Sequence, residues 1–220
     1  MTDVADEKMI VFLVDDDADI RATLSRALSL RGYHVRTFAS ALEFLEAYDD
    51  TSSGCLILDY GMPKMNGLEL QRHLKDRNIS VPIVFITGHG GIPESVQAMK
   101  MGAVDFLEKP FKQSVLIDRI EAAFKTDERR RKENLQTSET LTRYEALTDR
   151  EREIALIIAT NPARNSSKEI ARQLGISPRT VDHHRARILE KMRLGSVAEL
   201  VETSLKAGLF ADNGVDGQVD

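Results

Sequence analysis

Aspartates stand directly after two apolar segments of this 220-residue chain. Residues 15–17 read Asp-Asp-Asp and follow Ile10–Val14, and Asp59 follows Cys55–Leu58. If both segments are neighbouring parallel strands, these carboxylates meet at the carboxyl edge of the sheet, where open parallel sheets bind ligands. Clustered carboxylates repel one another, and a hard divalent cation such as Mg²⁺ relieves that repulsion. The sequence therefore predicts a Mg²⁺ site here, although helix capping is the simpler explanation for Asp19 and for the last aspartate of the run.

Two further side chains follow predicted strands and complete a possible reaction site. Thr87 ends the fourth apolar segment, and Lys109 follows the fifth. A hydroxyl, an ammonium group, a metal ion and an exposed carboxylate are together what transfer of a phosphoryl group to Asp59 requires. The metal ion and Lys109 would neutralise the phosphoryl oxygens, and Thr87 would hydrogen-bond the product.

The elements that must position these side chains alternate between apolar strands and amphipathic helices, which is typical of a parallel sheet covered by helices. Segments that are apolar along their whole length indicate buried parallel strands. Gly32, Gly54 and Gly102 stand at helix-to-strand transitions, where a left-handed cap favours glycine. The predicted strands are Ile10–Val14, Tyr33–Phe38, Cys55–Leu58, Ile83–Thr87 and Val104–Leu107, and the predicted helices are Asp19–Leu30, Ala41–Tyr48, Leu68–Lys75, Pro93–Met101 and Ser114–Phe124.

Residues 8–126 resemble the receiver domain of bacterial two-component response regulators, a flavodoxin-like α/β fold. The motifs that carry the resemblance are Val14-Asp15-Asp16-Asp17, Leu58-Asp59-Tyr60-Gly61-Met62-Pro63, Asn66-Gly67, Thr87-Gly88-His89 and Lys109-Pro110. The resemblance implies that Asp59 is the phosphoacceptor and contacts Mg²⁺, together with Asp15, Asp16 and the backbone carbonyl of Gly61. It also implies that Lys109 contacts the phosphoryl group.

The same resemblance makes Phe106 an aromatic switch residue and Thr87 its hydroxyl partner. A core position is the simpler explanation for an aromatic residue on a strand, so both interpretations of Phe106 stay open. His89 would influence hydrolysis of the acyl phosphate or belong only to a surface loop. The Lys109–Pro110 bond is expected to be cis, which proline permits at modest cost.

Between the two predicted domains, residues 126–146 are charged and polar and contain no proline or glycine. We interpret them as an exposed helical linker. The basic run 129–132 within it is a possible DNA contact, but a solvated helix face is the simpler explanation.

After Leu147 the sequence shows only helical patterns, and four helices fit. Thr148 and Glu151 form a capping box at the start of the first. The second covers Ser167–Leu174. The third begins at Pro178, with Ser177 as N-cap, and runs to about Met192, and the fourth covers Ser196–Leu205. The turn between the second and third helices has the spacing of a helix-turn-helix, whose latter helix enters the DNA major groove.

The third helix has an apolar face and a polar face. Val181, Ile188 and Met192 share the apolar face and are expected to pack on Ile170 and Leu174. The opposite face carries hydrogen-bond donors, one acceptor and a small apolar group, which suits contact with bases and phosphates.

Residues 146–208 resemble the LuxR-type C-terminal domain of the NarL/FixJ regulators, and FixJ-like members in particular. The motifs are Leu147-Thr148-Asp149-Arg150-Glu151, Lys168-Glu169-Ile170-Ala171, Ile176-Ser177-Pro178-Arg179-Thr180-Val181 and His184. By this resemblance, Asp182, His183 and Ala186 face bases, and Ser177, Thr180, Arg187 and Lys191 face phosphates. The complete set of expected DNA-contacting residues is Lys168, Ser177, Arg179, Thr180, Asp182, His183, Ala186, Arg187 and Lys191.

One departure from this pattern is a connection between Ile158 and Lys168 that is about three residues longer than usual in the family, in which Ser167 replaces the usual Asn. We expect a longer surface loop at 159–167 with the fold intact, and leave open whether Arg164 contacts DNA. His183 and His184 point about 100° apart on a helix, which argues against a shared metal site.

The sequence thus predicts five segments: an N-terminal extension (1–8), a receiver domain (9–125), a helical linker (126–146), a four-helix DNA-binding domain (147–211) and a disordered acidic tail (212–220). The first part is acidic and the second mildly basic, within a net charge of −5. We expect a cytoplasmic protein, because no membrane span or signal peptide is visible. Cys55, among apolar neighbours, is expected to be a buried structural thiol.

The resemblance implies a transcription regulator that a sensor histidine kinase phosphorylates and that binds a double-stranded DNA promoter as a homodimer, with RNA polymerase as a further partner. Phosphorylation would act as a population shift. One rival is an enzyme: an aspartate-nucleophile phosphatase of the haloacid dehalogenase type, with Asp15 as nucleophile. The other rival keeps the receiver and makes the C-terminal helices a protein-binding or polymerase-docking module.

Overall fold

The computed structural model describes residues 9–49, 51–88, 92–161 and 165–210. Along the sequence, the chain divides into two compact units, with the boundary between Arg131 and Lys132. The predictions for residues 1–8, His89, Arg164 and the tail 212–220 lie outside the described residues. No helix in the described part combines the length and apolar character that crossing a membrane requires.

In the described residues of the first unit, five parallel strands form one sheet in the order β2-β1-β3-β4-β5. This confirms the predicted α/β fold with a parallel sheet. Every residue of β3 and β4 is buried, as the apolar strand sequences predict. The strands are β1 (Ile10–Val14), β2 (His34–Phe38), β3 (Gly54–Asp59), β4 (Ile83–Thr87) and β5 (Asp105–Glu108), and the helices are α1 (Ala18–Ser29), α2 (Ala41–Ala47), α3 (Gly67–Asp76), α4 (Ile92–Lys100) and α5 (Gln113–Glu145).

Two hydrophobic clusters cover the two faces of this sheet. Phe12 and Leu58 belong to one cluster, with Phe44 of α2 and Leu70 of α3. The neighbouring strand residues Leu13 and Ile57 belong to the other, with Leu28 of α1 and Leu116 of α5. Successive strand side chains point to opposite faces, so one apolar strand supplies both clusters. Cys55 is fully buried in the second cluster, and burial raises the pKa of its thiol.

Gly54 differs from its predicted role as a left-handed helix cap. Gly32 and Gly102 do adopt positive φ, at 90° and 95°. Gly54 is instead the first residue of β3, and a Cβ there would lie 1.9 Å from the carbonyl oxygen of Ile10. Close approach of two strands, not a helix end, is what requires glycine at this position.

Helix α5 runs without a break from Gln113 to Glu145, far past the predicted end at Phe124. The prediction of an exposed linker from residue 126 fails at Asp127, whose side chain is buried. Its carboxylate accepts hydrogen bonds from Ser53 Oγ and Gly54 N–H, both at 2.9 Å. A charged residue inside a polar run gave no sign of this burial, because its partners lie more than 70 positions away.

The second unit contains, in its described residues, the last part of α5 and the helices α6 (Asp149–Thr160), α7 (Ser167–Leu174), α8 (Pro178–Met192) and α9 (Val197–Lys206). The predicted capping box of Thr148 and Glu151 is present. Ser177 caps α8 with Pro178 in its first turn. Gly175 ends α7 at φ 66°.

The apolar face of α8 forms the centre of the second unit, as predicted. Val181, Ile188 and Met192 are buried with Ile170 of α7, and Leu174 packs against them. This arrangement leaves the polar face of α8 on the surface.

Candidate functional site

The predicted acidic site assembles at the carboxyl edge of the sheet. Lys109 Nζ donates to Asp59 Oδ1 at 2.7 Å and to Asp15 Oδ2 at 2.8 Å. Asp59 ends β3 and Asp15 follows β1, and these two strands are paired in parallel register. We call these three residues the acidic cluster. One cation therefore serves two carboxylates that lie 44 residues apart in the chain.

Burial and hydrogen bonding compete in setting the pKa values of Asp15 and Lys109. Asp15 is 1% exposed, and this burial raises its pKa more than the hydrogen bonds from Lys109 and from the Asp17 N–H lower it. Burial acts to lower the pKa of the less enclosed Lys109, but its hydrogen bonds to Asp15 and Asp59 outweigh this and raise it. The ammonium stays charged and holds the two carboxylates together.

Backbone groups orient the carboxylate of Asp59. The Gly61 N–H donates to Asp59 Oδ2 at 2.6 Å. A Cβ at Gly67 would lie 2.7 Å from the Asp59 carbonyl oxygen, so glycine lets the start of α3 approach the end of β3. Oδ1 faces the ammonium while Oδ2 faces a backbone donor, which fixes the plane of the carboxylate.

Thr87 and Phe106 lie on the neighbouring strands. Thr87 is buried at the end of β4, and its carbonyl oxygen accepts from the Lys109 N–H at 2.7 Å. The Phe106 ring is half-buried, with its centroid 5.9 Å from that of Phe85 and 6.5 Å from that of Tyr60. The Lys109–Pro110 bond is cis, as expected. Backbone contacts therefore connect the acidic cluster to the strand end that carries Thr87.

The acidic cluster has an oxygen-donor chemistry that fits a hard cation. No group of three or more His, Cys, Asp or Glu side chains in the described part of the chain is arranged to hold a metal ion. Two carboxylates nevertheless share one ammonium, and burial disfavours the ionised form of Asp15. A divalent cation relieves this excess of negative charge. Asp16, the third expected carboxylate, is exposed beside the cluster.

The backbone of Asp15 makes a side-chain contact that the sequence did not predict. Arg21 NH1 donates to the Asp15 carbonyl oxygen at 2.7 Å. Arg21 lies one turn into α1, and an arginine on a solvated helix face carries no sequence sign of such a contact. It fixes the backbone from which the Asp15 carboxylate projects.

In the second unit, the structure leaves most of the expected DNA-contacting residues exposed. Eight of the nine are exposed, and the exception is Lys191. The eight exposed residues are Lys168, Ser177, Arg179, Thr180, Asp182, His183, Ala186 and Arg187.

Lys191, which is expected to contact phosphate, is partly exposed and also makes contacts within the unit. Its Nζ donates to Glu151 Oε2 at 2.6 Å and to the Ala146 carbonyl at 3.3 Å. Glu151 is buried, and burial acts to raise its pKa, but the hydrogen bonds from Lys191 and Thr148 outweigh this and lower it. The ion pair joins the end of α8 to the start of α6.

Asp182 is also held by neighbours. Its Oδ1 accepts from Ser167 Oγ, and Arg185 NH1 donates to that same hydroxyl at 3.1 Å. Arg185 also donates to the Asn165 carbonyl at 3.1 Å. Ser167 therefore ties the start of α7 to α8.

The chain matches two family models. Residues 11–121 match the response regulator receiver domain, and residues 145–204 match the bacterial regulatory proteins of the luxR family. The chain is 38% identical to Nodulation protein W of Bradyrhizobium diazoefficiens, over 98% of this chain and 93% of that protein. It is 40% identical to the transcriptional regulatory protein FixJ of Rhizobium meliloti, over 90% of this chain and 96% of that protein.

Solved structures agree with this relationship. The response regulator StyR aligns with a TM-score of 0.75 and 40% identity, over 90% of this chain and 99% of that one. Full-length FixJ from B. japonicum aligns with a TM-score of 0.55 and 39% identity, over 92% and 98%. The fold and site thus define a two-component response regulator, and the chain belongs to the family whose members join a receiver domain to a LuxR-type DNA-binding domain. It is a transcription regulator. The matches to a receiver domain and to a LuxR-type domain argue against the two alternatives, a phosphatase of the haloacid dehalogenase type and a protein-docking module.

Proposed function

We propose that Asp59 accepts a phosphoryl group from a sensor histidine kinase and that this modification controls DNA binding in the cytoplasm. The observation that carries the proposal is the pair of contacts that Lys109 makes with Asp59 and Asp15. An Asp59 oxygen attacks phosphorus, the bond from phosphorus to its donor breaks, and an acyl phosphate forms. Lys109 is within reach of the phosphoryl oxygens and neutralises their charge.

Asp15, Asp16, Asp59 and the Gly61 carbonyl would hold Mg²⁺. When bound, the ion would supply positive charge against the phosphoryl oxygens. The residues themselves orient the acceptor, since the Gly61 N–H and the Lys109 ammonium each bind one Asp59 oxygen.

The response to phosphorylation would pass through Thr87 and Phe106. The Thr87 hydroxyl would bind the new phosphoryl group, and Phe106 would change its packing against Phe85 and Tyr60. The face formed by α4 and β5 would then favour a homodimer. The two copies of α8 in the dimer would contact two half-sites of a promoter, separated by about one DNA turn or more. RNA polymerase would be a further partner at that promoter.

A phosphorylation assay tests this function. The protein is incubated with Mg²⁺ and acetyl phosphate. We then measure its intact mass, its sedimentation and its affinity for a DNA duplex that has been enriched by in vitro selection. We expect the wild type to gain one phosphoryl group, to dimerise and to bind DNA more tightly. Asp59→Asn is expected to do none of these.

Asp76→Asn is the matched control, because Asp76 is an exposed aspartate at the end of α3. It should behave as the wild type does. If the Asp59→Asn protein is phosphorylated as fast as the wild type, the acceptor is wrong. If the wild type is phosphorylated but neither dimerisation nor DNA affinity changes, the proposed control of DNA binding is wrong.

A further inference from the structure

A hydrogen-bond network joins α8 to the end of the connection that departs from the family pattern, where Ser167 stands in place of the usual Asn. Ser167 Oγ donates to Asp182 Oδ1, and Arg185 NH1 donates to Ser167 Oγ at 3.1 Å. Arg185 NH1 also donates to the Asn165 carbonyl oxygen at 3.1 Å. Two side chains of α8 are therefore tied to the segment that leads into α7.

The chemistry of these groups fixes the direction of each hydrogen bond. A guanidinium group can only donate, and a carboxylate can only accept. The Ser167 hydroxyl therefore accepts from Arg185 and gives its own hydrogen to Asp182. A residue outside α8 thus holds one carboxylate oxygen of Asp182 in place.

The second carboxylate oxygen of Asp182 is available to a partner outside the protein. Asp182 is exposed, and its Oδ2 makes no hydrogen bond or ion pair with any residue that the structure describes. Asp182 is also the one carboxylate among the expected DNA-contacting residues, which include the exposed cations Arg179 and Arg187. Because DNA phosphates repel a carboxylate, this side chain is favourable at the interface only where it meets a hydrogen-bond donor on a base.

The donors in the major groove narrow the choice of base. Cytosine and adenine both present an amino group there, and aspartate accepts from N4 of cytosine. Adenine presents its N7 acceptor beside its N6 amino group, and this acceptor repels a carboxylate oxygen. The side chain of Asp182 therefore favours cytosine.

We propose that Asp182 Oδ2 accepts a hydrogen bond from a cytosine N4 amino group and that Ser167, held by Arg185, is the positioning residue for this carboxylate. The base preference at one operator position then depends on a residue of α7 that touches no base itself. This inference rests on the proposed promoter binding by α8, and it adds the base and the residue that orients the contact.

Binding to altered duplexes tests the inference. A duplex is enriched by in vitro selection with the unphosphorylated full chain, so the test does not depend on Asp59. Each C·G pair is then replaced in turn by T·A and by A·T, and dissociation constants are measured by fluorescence anisotropy at one salt concentration. We expect a position at which either replacement weakens wild-type binding at least about 5-fold.

Variants of the network identify that position. Asp182→Asn should lose the preference for cytosine there and gain one for adenine, because an amide pairs with N6 and N7 of adenine. Ser167→Ala should reduce the cytosine preference by about 3-fold or more, whereas Ser167→Thr keeps the hydroxyl and should retain the preference. A purely structural defect would weaken binding to all duplexes alike and leave their ratio unchanged.

Glu190→Gln is the control, because it removes an exposed carboxylate from the same helix outside the network. It should leave the base preference unchanged. If Asp182→Asn keeps the wild-type preference at every position, Asp182 contacts no base and the inference is wrong. Full cytosine preference in Ser167→Ala would overturn the positioning role. If the selection enriches no duplex, the DNA binding on which the inference rests fails with it.

Discussion

The first unit holds two charge clusters with buried carboxylates at opposite edges of one sheet, and the two clusters have opposite net charge. In the acidic cluster, one ammonium lies between two carboxylates, Asp15 and Asp59. In the second, which we call the basic cluster, the carboxylate of Asp127 lies between the guanidinium groups of Arg130 and Arg131.

The two clusters differ in how completely their charges are satisfied. Asp127 also accepts from Ser53 Oγ and Gly54 N–H, and Arg131 NH1 donates to the Thr51 carbonyl at 3.1 Å. Burial acts to raise the pKa of Asp127, but these hydrogen bonds, with Arg131 foremost, lower it. Burial dominates at Asp15 and raises its pKa. Hydrogen bonds therefore outweigh burial at the carboxylate of the basic cluster, whereas burial outweighs them at Asp15.

Loss of the shared ammonium should have the largest effect, because it tests whether the acidic cluster is built for reaction. Lys109→Met keeps most of the side-chain length and removes the charge. We expect phosphorylation by acetyl phosphate to slow by about 100-fold, since a positioned charge that stabilises the transferring group is lost. Intact mass measured over time gives the rate.

Lys112→Met, an exposed lysine three positions further along, is the control and should react at the wild-type rate. A rate for Lys109→Met within a few-fold of the wild type would show that Lys109 serves only to hold the carboxylates together.

Removing the carboxylate of the basic cluster should instead affect stability. Asp127→Asn leaves two half-buried guanidinium groups without their anion. We expect the free energy of unfolding of the first unit to fall by about 3 kcal/mol at neutral pH. Urea denaturation measures this. Because the pKa of Asp127 is lowered in the folded protein, its contribution is present above the ordinary value of 3.8 and is lost as the pH falls below it.

Asp118→Asn, an exposed position on the same helix, should change stability little. If Asp127→Asn is as stable as the wild type, the basic cluster is not the structural counterpart of the acidic one.

The same comparison explains what the sequence could predict. The carboxylates of Asp15 and Asp59 follow recognisable strands, so their meeting at one edge follows from the parallel sheet and the receiver resemblance. The exposed residues of α8 share one helix face, which periodicity alone gives. Asp127 was misjudged as exposed, and the ion pair of Lys191 was not foreseen, because each pairs with a residue at least 40 positions away. In a charged run, a solvated side chain and a paired one look the same.

The ion pair of Glu151 and Lys191 extends the comparison to the second unit. Glu151→Gln should lower the stability of that unit by about 1–2 kcal/mol at neutral pH, because a buried charged hydrogen bond is weakened. The pKa of Glu151 is lowered, so the difference should be present above its ordinary value of 4.5 and vanish as the pH falls below it. Thermal unfolding at several pH values measures this.

Glu153→Gln is the control, since Glu153 forms an exposed pair with Arg150 and should contribute much less. Equal effects of the two substitutions would show that the Lys191 pair contributes no more to stability than an exposed one.

The smallest expected effect has the opposite sign. Asp15→Asn should stabilise the first unit by roughly 1 kcal/mol at neutral pH without Mg²⁺, because it removes a carboxylate whose ionised form burial disfavours. The pKa of Asp15 is raised, so the wild type loses stability as the pH rises from 3.8 through the folded value, and below 3.8 the two proteins should match. Mg²⁺ should stabilise the wild type more than the variant and so reduce the difference. Destabilisation by Asp15→Asn, of the kind expected for Asp127→Asn, would mean that both clusters are structural and that unsatisfied charge does not distinguish the phosphoacceptor edge.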